Sequence, residues 1–195
     1  MIGPMGVQDD AEQIEPASAE EWDAWLADHH ADTPGGWLVS ARRAADRAFD
    51  YEAAVVEALR WGWVDSTQRP LDEQRSMMWF APRRRGSVWT RRNKERVSRL
   101  QAEGRMEAAG AAAVAAARES GMWTLMDPVE DRVVPDDLAD ALAARPGARE
   151  HWEGFSPSAQ KQVLAWIVLA KRPETRAARV TEAAERAERG EPARS

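Results

Sequence analysis

Five side chains stand out as able to hold a small molecule: Trp61, Trp63, Asp65, Trp79 and Trp89. Alternation along a strand would put Trp61, Trp63 and Asp65 on one face. If that face lines a cleft, it offers aromatic walls and one carboxylate, chemistry suited to a cationic or aromatic ligand. The plainer reading, and the preferred one, makes Trp63 core and Asp65 a turn cap. A second set is cationic. On a helix from Arg91, the residues Arg92, Arg96 and Arg99 form one face, with Arg83, Arg84 and Arg85 just upstream. Trp89 is interleaved, as on many nucleic-acid surfaces. The formal net charge of the chain is −6, and duplex-binding domains are usually basic. A solvated face paired with acids elsewhere is therefore preferred. A third set is Lys171-Arg172-Pro173-Glu174-Thr175-Arg176. Cations at one helix end and Glu in the next first turn suit the helix dipole, which explains the string as structure. Ligand contact by Arg176 is the secondary reading.

Other chemistries lack their signals. The histidines are His29, His30 and His151. Adjacent side chains on a helix diverge, so His29 and His30 do not share a metal, and no pair has zinc-site spacing. Cysteine is absent, which excludes disulfides, thiolate ligands and a Cys nucleophile. There is no Ser nucleophile elbow, P-loop or dinucleotide fingerprint. No metal, cofactor or catalytic residue is expected.

These residues must be positioned by short elements. Ser18 stands three residues before Glu21, a capping box. It opens a helix whose Trp22, Trp25, Leu26 and His29 share a face. Asp32-Thr33-Pro34-Gly35-Gly36 stops it. Trp37 to Ser40 reads as a strand, and Arg42 to Phe49 as a polar connection. Asp50 caps a second helix through Leu59, and Gly62 breaks it. Strands are expected at Trp63 to Thr67 and about Ser76 to Ala81, giving a small, mainly antiparallel sheet. Thr90 caps a basic helix to Glu103, and an alanine-rich helix runs from about Glu107 to Glu119. Further helices are expected at about 136–144, 147–153, 157–171 and 174–189, with Pro135, Pro157 and Pro173 at their starts. In the third of these, Ala159, Val163, Trp166, Ile167 and Ala170 repeat at helical spacing as the inward face.

The 195 residues suffice for one domain or a domain with a helical subdomain. Charged residues make up 31%, and much of the 44% hydrophobic share is alanine, which favours helix. Ten Trp against one Tyr and three Phe are expected mostly in cores. Met1 to Asp32 contains no Lys or Arg, whereas Arg83 to Arg99 has Glu95 as its single acid. That asymmetry marks either a nucleic-acid surface or pairing between the acidic arm and the basic helix. The N-terminus has no signal-peptide pattern, and no stretch approaches the ~18 apolar residues that span a bilayer. A cytoplasmic protein without membrane insertion is expected.

Several strings resemble the YdeI/OmpD-associated family, also called bacteriocin-protection proteins. EALRWGWVDS, Glu57 to Ser66, is similar to the family's E-A-L-C-F-G-W-I-D followed by Ser or Gly. FAPRRRGSVWTRRNKERVSRL, Phe80 to Leu100, is similar to a family string that keeps P-R, then S-x-W, then an Asn four residues after the Trp. These are Trp89 and Asn93 here. EGRMEAAG, Glu103 to Gly110, and AWIVLAKRPETRAARV, Ala165 to Val180, continue the likeness, which runs roughly from Ser18 to Gly190. Two positions depart from it. The family's Cys is Arg60 and the Phe after it Trp61, and the family's Thr before Pro-Arg is Ala81. The resemblance implies stress protection, with tolerance of cationic antimicrobial peptides or bacteriocins and association with an outer-membrane porin. It carries no established catalytic residues.

The sequence thus predicts an α+β, predominantly helical protein: a small antiparallel sheet with helices, followed by a C-terminal helical unit. Residues 1–16 are expected as a disordered acidic tail, 17–121 as the α+β domain, 122–134 as a linker, 135–190 as the helical unit and 191–195 as a tail. The expected function is non-enzymatic stress protection through an unidentified protein or small-molecule partner. The alternatives are nucleic-acid binding by segment 83–99 and a small-molecule or enzyme site near Trp63 and Asp65. Ligand candidates are Trp61, Trp63, Asp65, Trp89, Asn93 and Arg176. Nucleic-acid candidates are Arg83, Arg84, Arg85, Arg92, Arg96 and Arg99.

Overall fold

The computed structural model describes residues 8–194, and the first seven residues of the expected tail and Ser195 lie outside the described residues. The protein is α+β, with two compact units. Among the described residues, the first takes in the chain up to Ser87 and again Arg92 to Ser120, and the second takes in Val88 to Arg91 and the chain from Gly121.

The first unit is built on a four-stranded sheet of β1 (Gln13–Ile14), β2 (Gly36–Ala41), β3 (Trp63–Pro70) and β4 (Arg75–Pro82), ordered β1-β2-β4-β3. The β3–β4 turn is made by Asp72, whose carboxylate accepts the Gln74 and Arg75 N–H groups at 2.9 and 2.7 Å. The sheet is mixed because β1 pairs with β2 in parallel. Gln13 and Ile14 fall in the stretch expected as a disordered tail. A two-residue strand has no period to read, and Ile14 is held by being buried beside Leu38.

Helix α1 (Ala19–His29) forms for the expected reason: the Ser18 hydroxyl accepts the Glu21 N–H at 3.3 Å, and Glu21 accepts the Ala17 N–H at 2.8 Å. Its Trp22 meets Phe80 of the sheet edge-on at 5.4 Å, and the Trp22 indole donates to the Ala54 carbonyl of α2 (Tyr51–Arg60) at 3.1 Å. Helix α3 (Arg91–Ala102) and helix α4 (Ala108–Glu119) follow. Arg60, where the related family has Cys, is a hub. It reaches Asp23 of α1 at 2.8 Å, Glu57 at 2.6 Å, Glu107 before α4 at 3.0 Å, and the Arg105 carbonyl at 2.9 Å. Gly110 lets α4 pass against the end of α2, since a Cβ there would lie 2.2 Å from the Arg60 carbonyl oxygen.

The second unit holds α5 (Asp127–Glu130), α6 (Asp136–Ala143), α7 (Ala148–Gly154), α8 (Pro157–Val168) and α9 (Pro173–Glu188). The short α5 falls inside the expected linker. The core joins Leu138, Leu142, Trp152, Val163, Leu164 and Ile167 to the alanine face of α9, Ala183, Ala184 and Ala187. Small side chains there let α6, α7 and α8 approach α9 closely. The inward face of α8 keeps Ala159, Val163 and Ile167 of the expected one and takes Gln160 and Leu164 in place of Trp166 and Ala170. Trp166 is half-buried at its edge. Arg194 stands over the Trp166 ring at 3.8 Å from its centroid, and Arg179 at 5.2 Å. Gln160 turns inward because its amide donates to the Trp152 carbonyl at 2.9 Å and its oxygen accepts from Arg132. Among the described residues no helix is long and apolar enough to cross a membrane.

Candidate functional site

The register puts Leu38, Ser40, Met78 and Phe80 on one face of the sheet and Trp37, Val39, Met77 and Trp79 on the other. Trp25 and Ile14 close over the first face near Gly36. Toward Ser40 the face opens into a cleft of about 1200 Å³. Leu38, Met78 and Phe80 line its sheet side, and Phe49, Tyr51 and Ala54 line its helix side. The loop 42–50 joins β2 to α2 at the mouth, and it ends where the Asp50 carboxylate accepts the Ala53 N–H at 2.7 Å.

Four arginines, Arg42, Arg43, Arg47 and Arg75, line this cleft together with Glu15, Asp46, Asp50 and Glu73. Arg75 is neutralised by Asp72 at 2.8 Å and Glu15 at 3.0 Å. Arg47 is held differently. Its Nε donates to the Ala41 carbonyl at 2.9 Å and its Nη2 to the Arg42 carbonyl at 3.4 Å. Neutral acceptors fix a guanidinium without cancelling its charge. Arg42 likewise reaches a carbonyl, that of Asp72 at 3.5 Å. A smaller cavity of about 350 Å³ adjoins, lined by Arg42, Arg47, Gln68, Arg69, Pro70 and Ser76, with no carboxylate among them. Arg42, Arg47 and Gln68 line both cavities.

The residues singled out from sequence are largely dispersed. Trp61 is not on the strand. It caps the C-terminus of α2, packs on His30 at 4.5 Å and donates to Asp23 at 2.7 Å. Trp63 is buried, its indole donating to the His30 carbonyl at 3.2 Å. Trp79 packs against Trp37 on the far face of the sheet. Trp89 belongs to the second unit, where it is buried 5.0 Å from Trp123. Arg176 grips Asp137 through two bonds, of 2.8 and 3.0 Å.

One group does converge. Asp65 accepts the Tyr51 hydroxyl proton at 2.6 Å. Burial, reinforced by that carboxylate, pushes the Tyr51 phenol up to about 12. Next to Tyr51 in α2, Glu52 receives Arg96 through two bonds, the Nε one 2.8 Å long, and Arg92 through one of 2.8 Å. Arg99 stands 3.9 Å away. The Arg96 hydrogen bonds hold the Glu52 carboxyl down at about 2. Asn93 accepts from Arg96 at 2.5 Å. The acid on the basic helix is thus supplied by α2, while the acidic arm pairs elsewhere, Asp9 with Arg69 and Glu15 with Arg75. Arg83 donates to Ser87 at 3.3 Å, and burial pushes its guanidinium down to about 10 against the pull of Asp65. Arg84 and Arg85 are exposed.

Sequence reasoning missed the cleft residues Arg42, Arg43, Arg47 and Gln68. The available signal was three arginines in SARRAADRAFD, Ser40 to Asp50, between a strand and a capped helix. Among the described residues no three His, Asp or Glu side chains are grouped to hold a metal ion.

Residues 131–190 match the family model described as Bacteriocin-protection, YdeI or OmpD-Associated. The strings Glu57 to Ser66 and Phe80 to Gly110 fall outside that match and within a different one, to a domain of unknown function, DUF8412, at residues 14–113. No curated protein and no solved structure matched. The second match spans just over half of the 195 residues and encloses the sheet, the cleft and the basic helix, so the chain belongs to the DUF8412 family.

Proposed function

We propose that the protein works by binding, in a protective role against bacteriocin-type stress, and that the cleft of its first unit is the binding site. The observation that carries this reading is the cleft itself. It combines an apolar floor with a few fixed polar groups, the usual form of a small-molecule site. The match at residues 131–190 supports the protective role. Asp65 takes part at second hand, by fixing the Tyr51 ring that lines the cleft. The nucleic-acid alternative is weaker, because Arg92, Arg96 and Arg99 already face Glu52 and a phosphate would compete with that carboxylate.

The test is complementation. A strain lacking the gene should lose tolerance of a bacteriocin or cationic peptide and regain it with the parent protein. Ser40→Trp, which fills the cleft from its floor, should fold but not restore tolerance. Full protection by a folded Ser40→Trp protein would remove the cleft from the function.

A further inference from the structure

We propose that the cleft takes an amphipathic acid: a carboxylate or phosphate head on a hydrocarbon or aryl body. This rests on the cleft being a binding site. The head would sit where the two cavities meet, at Arg42, Arg47 and Gln68. The body would lie along Met78, Phe49 and Tyr51.

Three observations fix the sign of the ligand. First, the smaller cavity, which holds the meeting point, has Arg42, Arg47 and Arg69 and no acid in its lining. Second, the Arg47 guanidinium is oriented by two backbone carbonyls, so its charge is in place before any ligand arrives. A planar guanidinium matches the two oxygens of a carboxylate or phosphate. Third, two of the four acids of the larger cleft are committed, Asp50 to the α2 N-terminus and Glu15 to Arg75, and the other two, Asp46 and Glu73, line the larger cavity and not the meeting point. Gln68 and Ser76, joined side chain to side chain at 3.4 Å, supply neutral donors beside the cations. The apolar lining sets the other half of the specificity, because a wholly polar anion leaves the half-buried Met78 and Phe49 in contact with water. The volume of about 1200 Å³ exceeds the ~300–1000 Å³ of ordinary small-molecule sites, so a body of several carbons fits easily. A cationic peptide, the agent against which protection is proposed, has the wrong charge for this mouth. Protection would then act through an acidic small molecule and not by sequestering the peptide here.

The experiment uses the full chain with methyl-labelled methionine. Met78 lines the cleft and Met77 points to the opposite face, so the pair reports the site and its own control. Decanoate, decyl phosphate, decanol, decyltrimethylammonium and inorganic phosphate are titrated below micelle formation, with calorimetry for affinity. Decanoate and decyl phosphate should shift the Met78 methyl and leave Met77 in place. They should bind at least tenfold more tightly than decanol. Decyl phosphate binding well above inorganic phosphate would assign the site to amphiphiles; equal binding of the two would overturn the apolar half of the proposal. Arg42→Gln should reduce decanoate affinity about tenfold and leave decanol affinity unchanged. Arg47→Lys keeps the charge, loses the fork and should lose part of the acid preference. Equal binding of acid and alcohol at Met78, or preference for the ammonium, would overturn the acid assignment while leaving the cleft as a site. No Met78 shift with any probe would overturn both.

Discussion

The two units hold themselves together by different physics. In the first, charge is carried inward. Arg96 is 4% exposed and Glu57 8%, and Arg60 ties α1, α2 and the start of α4 through carboxylates and a carbonyl. In the second, the core is apolar apart from Gln160, and these ion pairs sit toward the surface: Arg145 with Glu185, Arg149 with Glu153, Arg176 with Asp137. Exposed pairs contribute little. A buried charge whose partner is removed is costly, and its partners dictate which helix goes where. The open cleft lies in the unit with inward charge. A sheet that leaves part of one face uncovered has less apolar packing to set its geometry, and directional bonds set it instead.

The sharpest break of this contrast is at Arg60. Arg60→Ala leaves Glu57 buried beside Arg105 alone and should cost ~3–5 kcal/mol in urea unfolding. A loss below about 1 kcal/mol would mean that the hub behaves like a surface pair, and the contrast between the units would collapse. Gly110→Ala tests the same joint sterically. Its Cβ would meet the Arg60 oxygen at 2.2 Å and the Leu59 oxygen at 2.8 Å. Backbone cannot yield as a side-chain tip does, so a loss of ~1–3 kcal/mol is expected. An unchanged melting temperature would show that α4 is free to shift.

In the second unit, Trp166→Ala should cost about 2 kcal/mol, less than a fully buried Trp would. Arg179 and Arg194 stand over its ring, and exposed cation–π contacts contribute only ~0.5–1 kcal/mol. Replacing Leu138, which is fully buried, with Ala should cost more in the same assay. The reverse order would put Trp166 back at the centre of the core.

How much of this was legible follows from distance along the chain. The caps at Ser18 and Asp50 and the prolines opening α8 and α9 are local, and each stands where the sequence put it. The α+β class and the helices of the second unit follow from the same local signals. Arg60 was visible only as a departure from a family string, because its acceptors at Asp23 and Glu107 lie in other elements. Trp166 fell at the edge of a helical stripe, where periodicity alone cannot separate core from flank and Gln160 is the less obvious inward residue. The cleft was hidden for a further reason. A gap between a helical layer and a sheet belongs to no residue, and loop 42–50 reads only as polar until the strand and helix it joins are placed.

The smallest effect concerns Glu52, the α2 acid that faces the basic helix in place of the expected acidic arm. Its carboxyl is held at about 2 against an ordinary 4.5, chiefly by the Arg96 hydrogen bonds. A depressed carboxyl takes up its proton more readily in the unfolded chain. The pairing therefore stabilises in full above about pH 4.5, and the contribution is lost as pH falls through about 2. The whole shift would correspond to ~3 kcal/mol, but Glu52 is about a third exposed, and solvent screening reduces this to about 1 kcal/mol. The Gln amide oxygen still accepts from the buried Arg96, so Glu52→Gln should lower stability at pH 7 by only about that amount, and the gap to the parent should close toward pH 2. The same substitution leaves Arg92 and Arg99 without their acid. If the segment has latent affinity for nucleic acid, Glu52→Gln should bind DNA with a log–log salt slope of about −2 or steeper, near −0.9 per phosphate neutralised, where the parent binds none. Salt-sensitive binding by the parent itself would show that Glu52 does not mask the helix, and the nucleic-acid reading would then displace the cleft.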